Sequence, residues 1–337
     1  MEIDARQREV LAAIVREYIL TGEAVGSRTL VKRQGIEQSP ATVRNTMADL
    51  EERGLLRQPH ASAGRLPTES GLRFFVDRLM RARELTEAEK AEIVARYRLT
   101  DVELQALMRE ISRLLSDVSQ QCALVLVPRS EVSVLKRIDF VPLDAGRLLA
   151  VLVMSSGLVQ NRLLKVRDLD GENLGRAHRY LNDLCVDKTL SEVRQLVQNE
   201  LENEQSRYDK AIRRGLELGA EVLDRPIEDE LVIEGQARLL DHPDFDREQL
   251  RALLEGIEQR RQVLQLLDET MGGEGVQVFI GAETQQEMLR NCAIVAASYG
   301  GNQPLGTLGV IGPSSLDYSR VISLVDFTAG LLTKVLS

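Results

Sequence analysis

At 337 residues and 43% hydrophobic content, the chain has enough apolar mass for two or three packed domains and is no disordered tail. Its 43 Lys and Arg against 52 Asp and Glu leave a net charge of −9, which excludes indiscriminate binding to nucleic acid or to anionic membranes. The charge is unevenly spread: residues 1–83 hold 14 basic against 11 acidic (net +3), the remainder 29 against 41 (net −12).

A mildly basic head on an acidic body suits a protein that presents only its head to a polyanion. Cys122, Cys185 and Cys292 lie far apart in apolar surroundings, which predicts buried free thiols in a reducing compartment. The opening MEIDARQRE is charged and lacks the apolar core of a secretory signal. The longest aliphatic run, Leu148 to Met154, falls far short of the about 20 residues a bilayer span needs. These features predict a cytoplasmic chain with no membrane partner.

In chain order, Asp4 to Leu20 reads as an amphipathic helix burying Val10, Leu11, Ile14, Val15, Tyr18 and Ile19. Ser27 is placed to cap a short second helix that ends near Arg33. Gln34-Gly35-Ile36-Glu37-Gln38 forms the turn before the next helix. Ser39 then caps a third helix with Pro40 in its first position, where a missing N–H costs nothing. Val43, Met47 and Leu50 make the buried stripe of that helix. The opposite side carries Ala41, Asn45, Ala48 and Glu52, flanked by Thr42, Arg44 and Asp49. Gly54 suits the left-handed residue that ends a helix. Two short strands, Leu55 to Gln58 and Arg65 to Pro67, flank a tip running from His60 to Gly64. Arg53 to Pro67 holds three arginines and no acid.

Three helices and a basic hairpin are the order of a winged helix-turn-helix, in which the third helix enters a major groove and the wing follows the backbone. Arg44 and Asn45 are the candidates for base edges, because Arg pairs with guanine and Asn with adenine through two hydrogen bonds each. Thr42 suits a thymine methyl or a phosphate. Ser27, Arg28, Ser39, Arg57, His60, Ser62 and Arg65 are the expected backbone and wing contacts.

Thr68 caps a further helix running to about Arg83. Capping boxes follow at Thr86 with Glu89 and at Thr100 with Glu103. Leu104, Leu107, Met108, Ile111, Leu114, Leu115 and Val118 form an apolar series that periodicity assigns to a dimer seam or to a sheet. Its shortness for a coiled coil favours the sheet.

Strand patterns occupy Gln121 to Val127, Val134 to Val141, Leu148 to Met154 and Val159 to Val166. From Glu172 to about Leu223 the pattern is helical. Leu231 to Ile233 and Ala237 to Leu240 read as short strands, and Asp246 with Gln249 caps a helix to about Glu269. Strands resume at Val276 to Ile280, Cys292 to Ser298 and Leu305 to Ile311, before a last helix from Tyr318 to Leu336.

The expected architecture is a multidomain α+β chain. Its parts are a winged helix-turn-helix over 1–83, a helical connector over 84–118, a discontinuous sheet domain over 119–171 and 273–337, and a mainly helical insert over 172–272. No catalytic constellation emerges. The three histidines stand apart, so neither a metal site nor any other cofactor is expected. Gly272-Gly273-Glu274-Gly275 precedes a strand instead of opening a helix, and so fails as a phosphate loop. An enzyme fused to a winged domain finds no convergent acid, base or nucleophile. A winged domain that serves only as an adaptor sits badly with the basic wing.

Three stretches carry a resemblance: VGSRTL at 25–30, SPATVRNTMADLEERGLL at 39–56 and QPHASAGRLPTESGLRFFVD at 58–77. Together with LGVIGPSSLDYSRVISLVDF at 308–327, they make the chain resemble the HrcA family of heat-inducible transcription repressors over essentially its whole length. The resemblance implies a GAF-like sheet domain, an inserted dimerisation domain and a homodimer on double-stranded DNA. It implies the CIRCE inverted repeat of groE- and dnaK-type chaperone operons as operator, and activity modulated by the GroE chaperonin. The alternative is a winged-helix regulator of other genes that senses a ligand through its GAF-like domain.

Overall fold

The computed structural model describes residues 2–60, 63–97, 104–127, 134–144, 146–155, 157, 159–165, 171–202, 210–224, 231–240, 242, 245–259, 261–273, 275–301 and 304–336. The Thr100–Glu103 capping box and the wing tip at Ala61 and Ser62 lie outside the described residues.

The head begins with α1 (Ala5–Thr21), capped by Asp4 through a reciprocal bond with Gln7, followed by α2 (Ser27–Arg33) and α3 (Pro40–Glu52). Val10, Leu11, Ile14, Leu30, Val43 and Leu50 are fully buried at the centre of these helices. The apolar stripes read from the sequence therefore face one another. Strands β1 (Leu56–Arg57) and β2 (Leu66–Pro67) pair antiparallel, Leu56 opposite Pro67. Thr68 caps α4 (Glu69–Phe74). The expected continuation of that helix to Arg83 is corrected: it widens into a π-helical turn over Phe75–Leu79 and stops at Met80.

After α5 (Glu87–Tyr97), helix α6 (Leu104–Ser119) lays its apolar series on a sheet, as its length suggested. The chain then makes β3 (Cys122–Leu126), β4 (Val134–Asp144), β5 (Arg147–Met154) and β6 (Val159–Lys165). Next come α7 (Gly171–Cys185), β7 (Lys188–Thr189), α8 (Leu190–Glu202) and α9 (Lys210–Asp224). The last part runs β8 (Leu231–Glu234), α10 (Gln236–Leu240), α11 (Arg247–Glu258), α12 (Arg261–Met271), β9 (Val276–Ile280), β10 (Cys292–Tyr299), β11 (Gly306–Pro313) and α13 (Tyr318–Leu336).

These strands form two sheets. The larger has the order β8-β3-β11-β10-β9 and is antiparallel throughout. Alternate residues of its central strands enter different cores. Ala123, Val125, Val295 and Val310 pack with α6 and α13, whereas Cys122, Leu124, Ile294 and Ile311 pack with α11 and α12. Helices thus cover both faces, which accounts for the nearly continuous apolar runs. The smaller sheet, β6-β5-β4-β7, rests one face on α7 and α9 through Leu148, Ala150, Leu152 and Leu181.

The expected grouping is therefore corrected. The strands at 134–165, assigned to the same sheet as 122–126, belong to the smaller sheet. Residues 231–271, assigned to the insert, return to the larger one. The composition shifts near 172 and 272 mark the changes from strand to helix and back, and hydropathy does not say which sheet a strand joins. Ala237 to Leu240 is helical instead of extended, a short apolar run that either period accommodates. All three cysteines are buried free thiols. Burial pushes Cys122 and Cys292 up to about 12 and Cys185 up to about 11, so they stay protonated at neutral pH. No described helix is long and apolar enough to cross a membrane.

Head and body meet along α4 and the start of α13. Arg73 makes a two-pronged bond to Glu283, with Nε to Oε1 at 2.8 Å, and donates to the Val278 carbonyl. Glu69 accepts the Ala282 N–H at 3.2 Å. Beyond them, the Arg83 N–H donates to the Ser319 carbonyl at 3.1 Å. Arg83 and Arg320 both bond to Glu89, which caps α5. The Thr86 N–H holds the Glu89 carboxyl down, burial opposes this, and the Thr86 hydroxyl and Arg83 add to it, leaving the group at about 2. A carboxylate depressed in the fold stabilises above its unfolded value and loses that contribution as pH falls through its folded value. We expect the melting-temperature difference between wild type and Glu89→Gln to be constant above about pH 5 and to close between about pH 4.5 and 2. Thermal melts across that range, read by circular dichroism, check it.

Candidate nucleic-acid interface

The candidate reading helix is fixed by its own cap and by α1. The Ser39 hydroxyl accepts the Thr42 N–H at 3.1 Å and bonds the Thr42 hydroxyl at 2.8 Å. Arg6 of α1 donates to the Thr46 hydroxyl at 3.0 Å and to the Thr42 carbonyl at 3.3 Å, bracing the first turns of α3 from the side. Val43, Thr46, Met47 and Leu50 are buried, whereas Arg44 and Asn45 are exposed with no described hydrogen bond or ion pair. Thr42 is half-buried. The polar flank of α3 therefore faces outward, free of the protein's own body. Gly54, with φ of +73°, ends the helix in the left-handed conformation glycine favours.

The wing is strapped to the helices in two places. Val25 and Arg65 exchange backbone hydrogen bonds of 2.9 Å in both directions, adding a bridge ahead of α2. Glu51, near the end of α3, accepts the Gln58 N–H at 3.0 Å and pairs with Arg65 at 2.8 Å. The hairpin also closes on itself, since the Gln58 side chain donates to the Ala63 carbonyl at 3.0 Å. Gly64 lies so near the bridge that a Cβ there would stand 2.4 Å from the Val25 carbonyl.

Two expected contacts are corrected by this arrangement. Arg65 is an internal brace and no free cation: its side chain is only 15% exposed and is turned onto Glu51. Ser27 is buried and does not cap α2, whose N-cap is Gly26. Arg28, Ser39, Arg57 and His60 are exposed, on α2, at the α3 start and along the wing. Ser62 lies outside the described residues. The interface thus assembles Arg28, Ser39, Arg44, Asn45, Arg57 and His60, with Thr42 at its margin.

Three supporting residues went unnoticed in the sequence. Arg6 braces α3, Glu51 anchors the wing, and Glu17 holds α2. The Glu17 carboxylate accepts from Gln34 at 3.0 Å and Arg33 at 2.7 Å, and these hydrogen bonds keep it below its ordinary range despite burial. All three join residues 14 to 40 positions apart, and periodicity within one element carries no signal of such pairs.

Comparison with known proteins gives concordant matches. The family model described as the HrcA protein C terminal domain matches residues 105–322. The heat-inducible transcription repressor HrcA of Geobacter sulfurreducens is 41% identical over 338 residues, covering 99% of this chain and 98% of the relative. The HrcA of Syntrophobacter fumaroxidans is 41% identical over 340 residues, with the same coverage. A crystal structure of a hypothetical protein superposes with a TM-score of 0.67 at 25% identity, spanning 99% of both chains.

The wing straps yield a structural prediction. Gly64→Ala forces a methyl into the Val25 carbonyl and should cost about 1–3 kcal/mol, the usual range for overpacking. Faster amide exchange at Val25 and Arg65, with α1 exchange unchanged, is the expected signature, measured by hydrogen–deuterium exchange.

Proposed function

The chain belongs to the HrcA family of heat-inducible transcription repressors, and from that membership we propose that it represses by laying the outward flank of α3 in a DNA major groove. The observation that carries the reading is the exposure of Arg44 and Asn45 on a helix whose other side is fully committed to the head's core. Arg44 reads a guanine and Asn45 an adenine, with Thr42 against a thymine methyl or a phosphate. Arg28, Ser39, Arg57 and His60 follow the phosphates and set the register. Arg65 and Ser27 drop out of the contact set, the first as the wing's brace and the second as a core residue.

The operator follows from the family resemblance: the CIRCE inverted repeat ahead of groE- and dnaK-type operons, bound by a homodimer so that each half meets one α3. We take 1–83 as the DNA-binding head, 84–118 as the connector and the larger sheet as the GAF-like domain. The insert then runs from 127 to 230, and we place the dimer contact on it. The smaller sheet's second face supports this placement. Val141, Leu149 and Leu163 stand side by side across β4, β5 and β6, and the Val153–Val159 pair lies on the same face two rows along, beyond Asp139, Val151 and Asn161. Val141, Val159 and Leu163 are 45%, 52% and 44% exposed, an apolar surface of the kind a second subunit covers. Modulation by the GroE chaperonin also comes from the resemblance and rests on no residue here. Operator occupancy after refolding with and without chaperonin reads it out.

Two outcomes test the proposal. Arg44→Ala should weaken binding by about 1–3 kcal/mol and relax selectivity at one operator position, measured by fluorescence anisotropy on a systematic set of operator substitutions. Binding unchanged at every position would overturn the docking. Leu163→Asp should convert dimer to monomer in sedimentation velocity and lower operator affinity with it, because the charge would be buried unpaired at the contact. A dimer of wild-type strength would move the interface elsewhere.

A further inference from the structure

We infer that the cleft between the head and the start of α13 is a binding site for a small amphipathic anion, an acyl chain ending in a carboxylate. The cleft has a volume of about 510 Å3, within the roughly 300–1,000 Å3 of small-molecule sites. Its apolar lining is Ile19 and Leu20 from the end of α1, with Phe75, Leu79 and Met80 from the π-helical turn and its exit. Leu20 is 75% exposed, an apolar side chain at the opening that a hydrocarbon chain would cover. π-Helical segments are frequent at functional sites, and this one supplies much of the cleft's apolar surface.

The charge on the lining is positive. Arg16 and Arg81 both line the cleft, both are exposed, and no described carboxylate is paired with either guanidinium. The one acid on the lining, Asp317, caps α13 by accepting the Arg320 N–H at 3.2 Å, and its charge leaves the two arginines in excess by one. Ser319 is likewise committed, donating to the Arg81 carbonyl at 3.1 Å. Two exposed arginines and five apolar side chains on one lining match a single anionic head on an aliphatic tail. Such a ligand touches the head through α1 and the body through α13, so it binds best when the two are docked. It should therefore strengthen the docking.

The site does not depend on what α3 reads, so its test uses no DNA. Calorimetric titration of the full chain with sodium octanoate should give saturable binding of one molecule per chain. Hydrogen exchange at the Arg83 amide, which donates to Ser319 across the junction, should slow on saturation. The double variant Arg16→Ala with Arg81→Ala should bind at least tenfold more weakly, and 1-octanol should bind wild type at least tenfold more weakly than octanoate. Should the double variant lose its circular-dichroism melt, Arg16→Glu alone carries the same decision. Non-saturable uptake, undiminished affinity in the variants, or octanol binding as tightly as octanoate would overturn the proposal. Capture by phosphatidylglycerol vesicles without octanoate saturation would overturn it too, by making the cations a membrane contact.

Discussion

The interaction on which the head depends is the pairing of Glu51 with Arg65, reinforced by the backbone bridge between Val25 and Arg65. A two-residue hairpin has almost no stability of its own in water. Here the hairpin is held against α1 and α3, and one α3 carboxylate accepts both a backbone N–H and a guanidinium from it. Only 15% of the Arg65 side chain is exposed, so the pair is screened less by solvent and salt than a surface salt bridge. The position of every exposed wing residue relative to α3 follows from that strap.

Much of the head was legible in the sequence. Ser39 and Pro40 announced the start of α3, Val43, Met47 and Leu50 its buried side, and Gly54 its end, and each stands where local chemistry requires. These signals are local: a cap, a period and a left-handed turn all act within about one helical turn. Arg65 shows where local reading stops. An arginine in a basic hairpin looks like a phosphate contact, and nothing near it in the chain points to a carboxylate 14 residues earlier. Arg44 and Asn45 were legible because an outward position on a helix is itself a local property, set by the residues on the other side.

The body was legible element by element and misread in its grouping. The ends of β9 and α13 coincide with the expected ones, and α6 packs on the sheet as its length suggested. Which strands share a sheet is a question of long-range pairing, and alternation along a strand reports only that it has two faces. The smaller sheet makes the same point energetically. Its inner face is apolar because α7 and α9 cover it. Its outer face keeps Val141, Val159 and Leu163 in the open, which is costly for a lone subunit and fits a protein proposed to work in pairs.

The larger sheet leaves at β3 and re-enters at β8, and those two strands are immediate antiparallel neighbours, Leu126 directly opposite Leu231. Such neighbours are ordinarily joined by a turn of about two to five residues. The hundred or so residues between them therefore occupy the position of a hairpin loop. Cutting them out and closing the gap with an Asn-Gly turn would leave every ladder of the larger sheet in register. The smaller sheet and its helices thus hang from the position of a single turn between two neighbouring strands of the larger sheet.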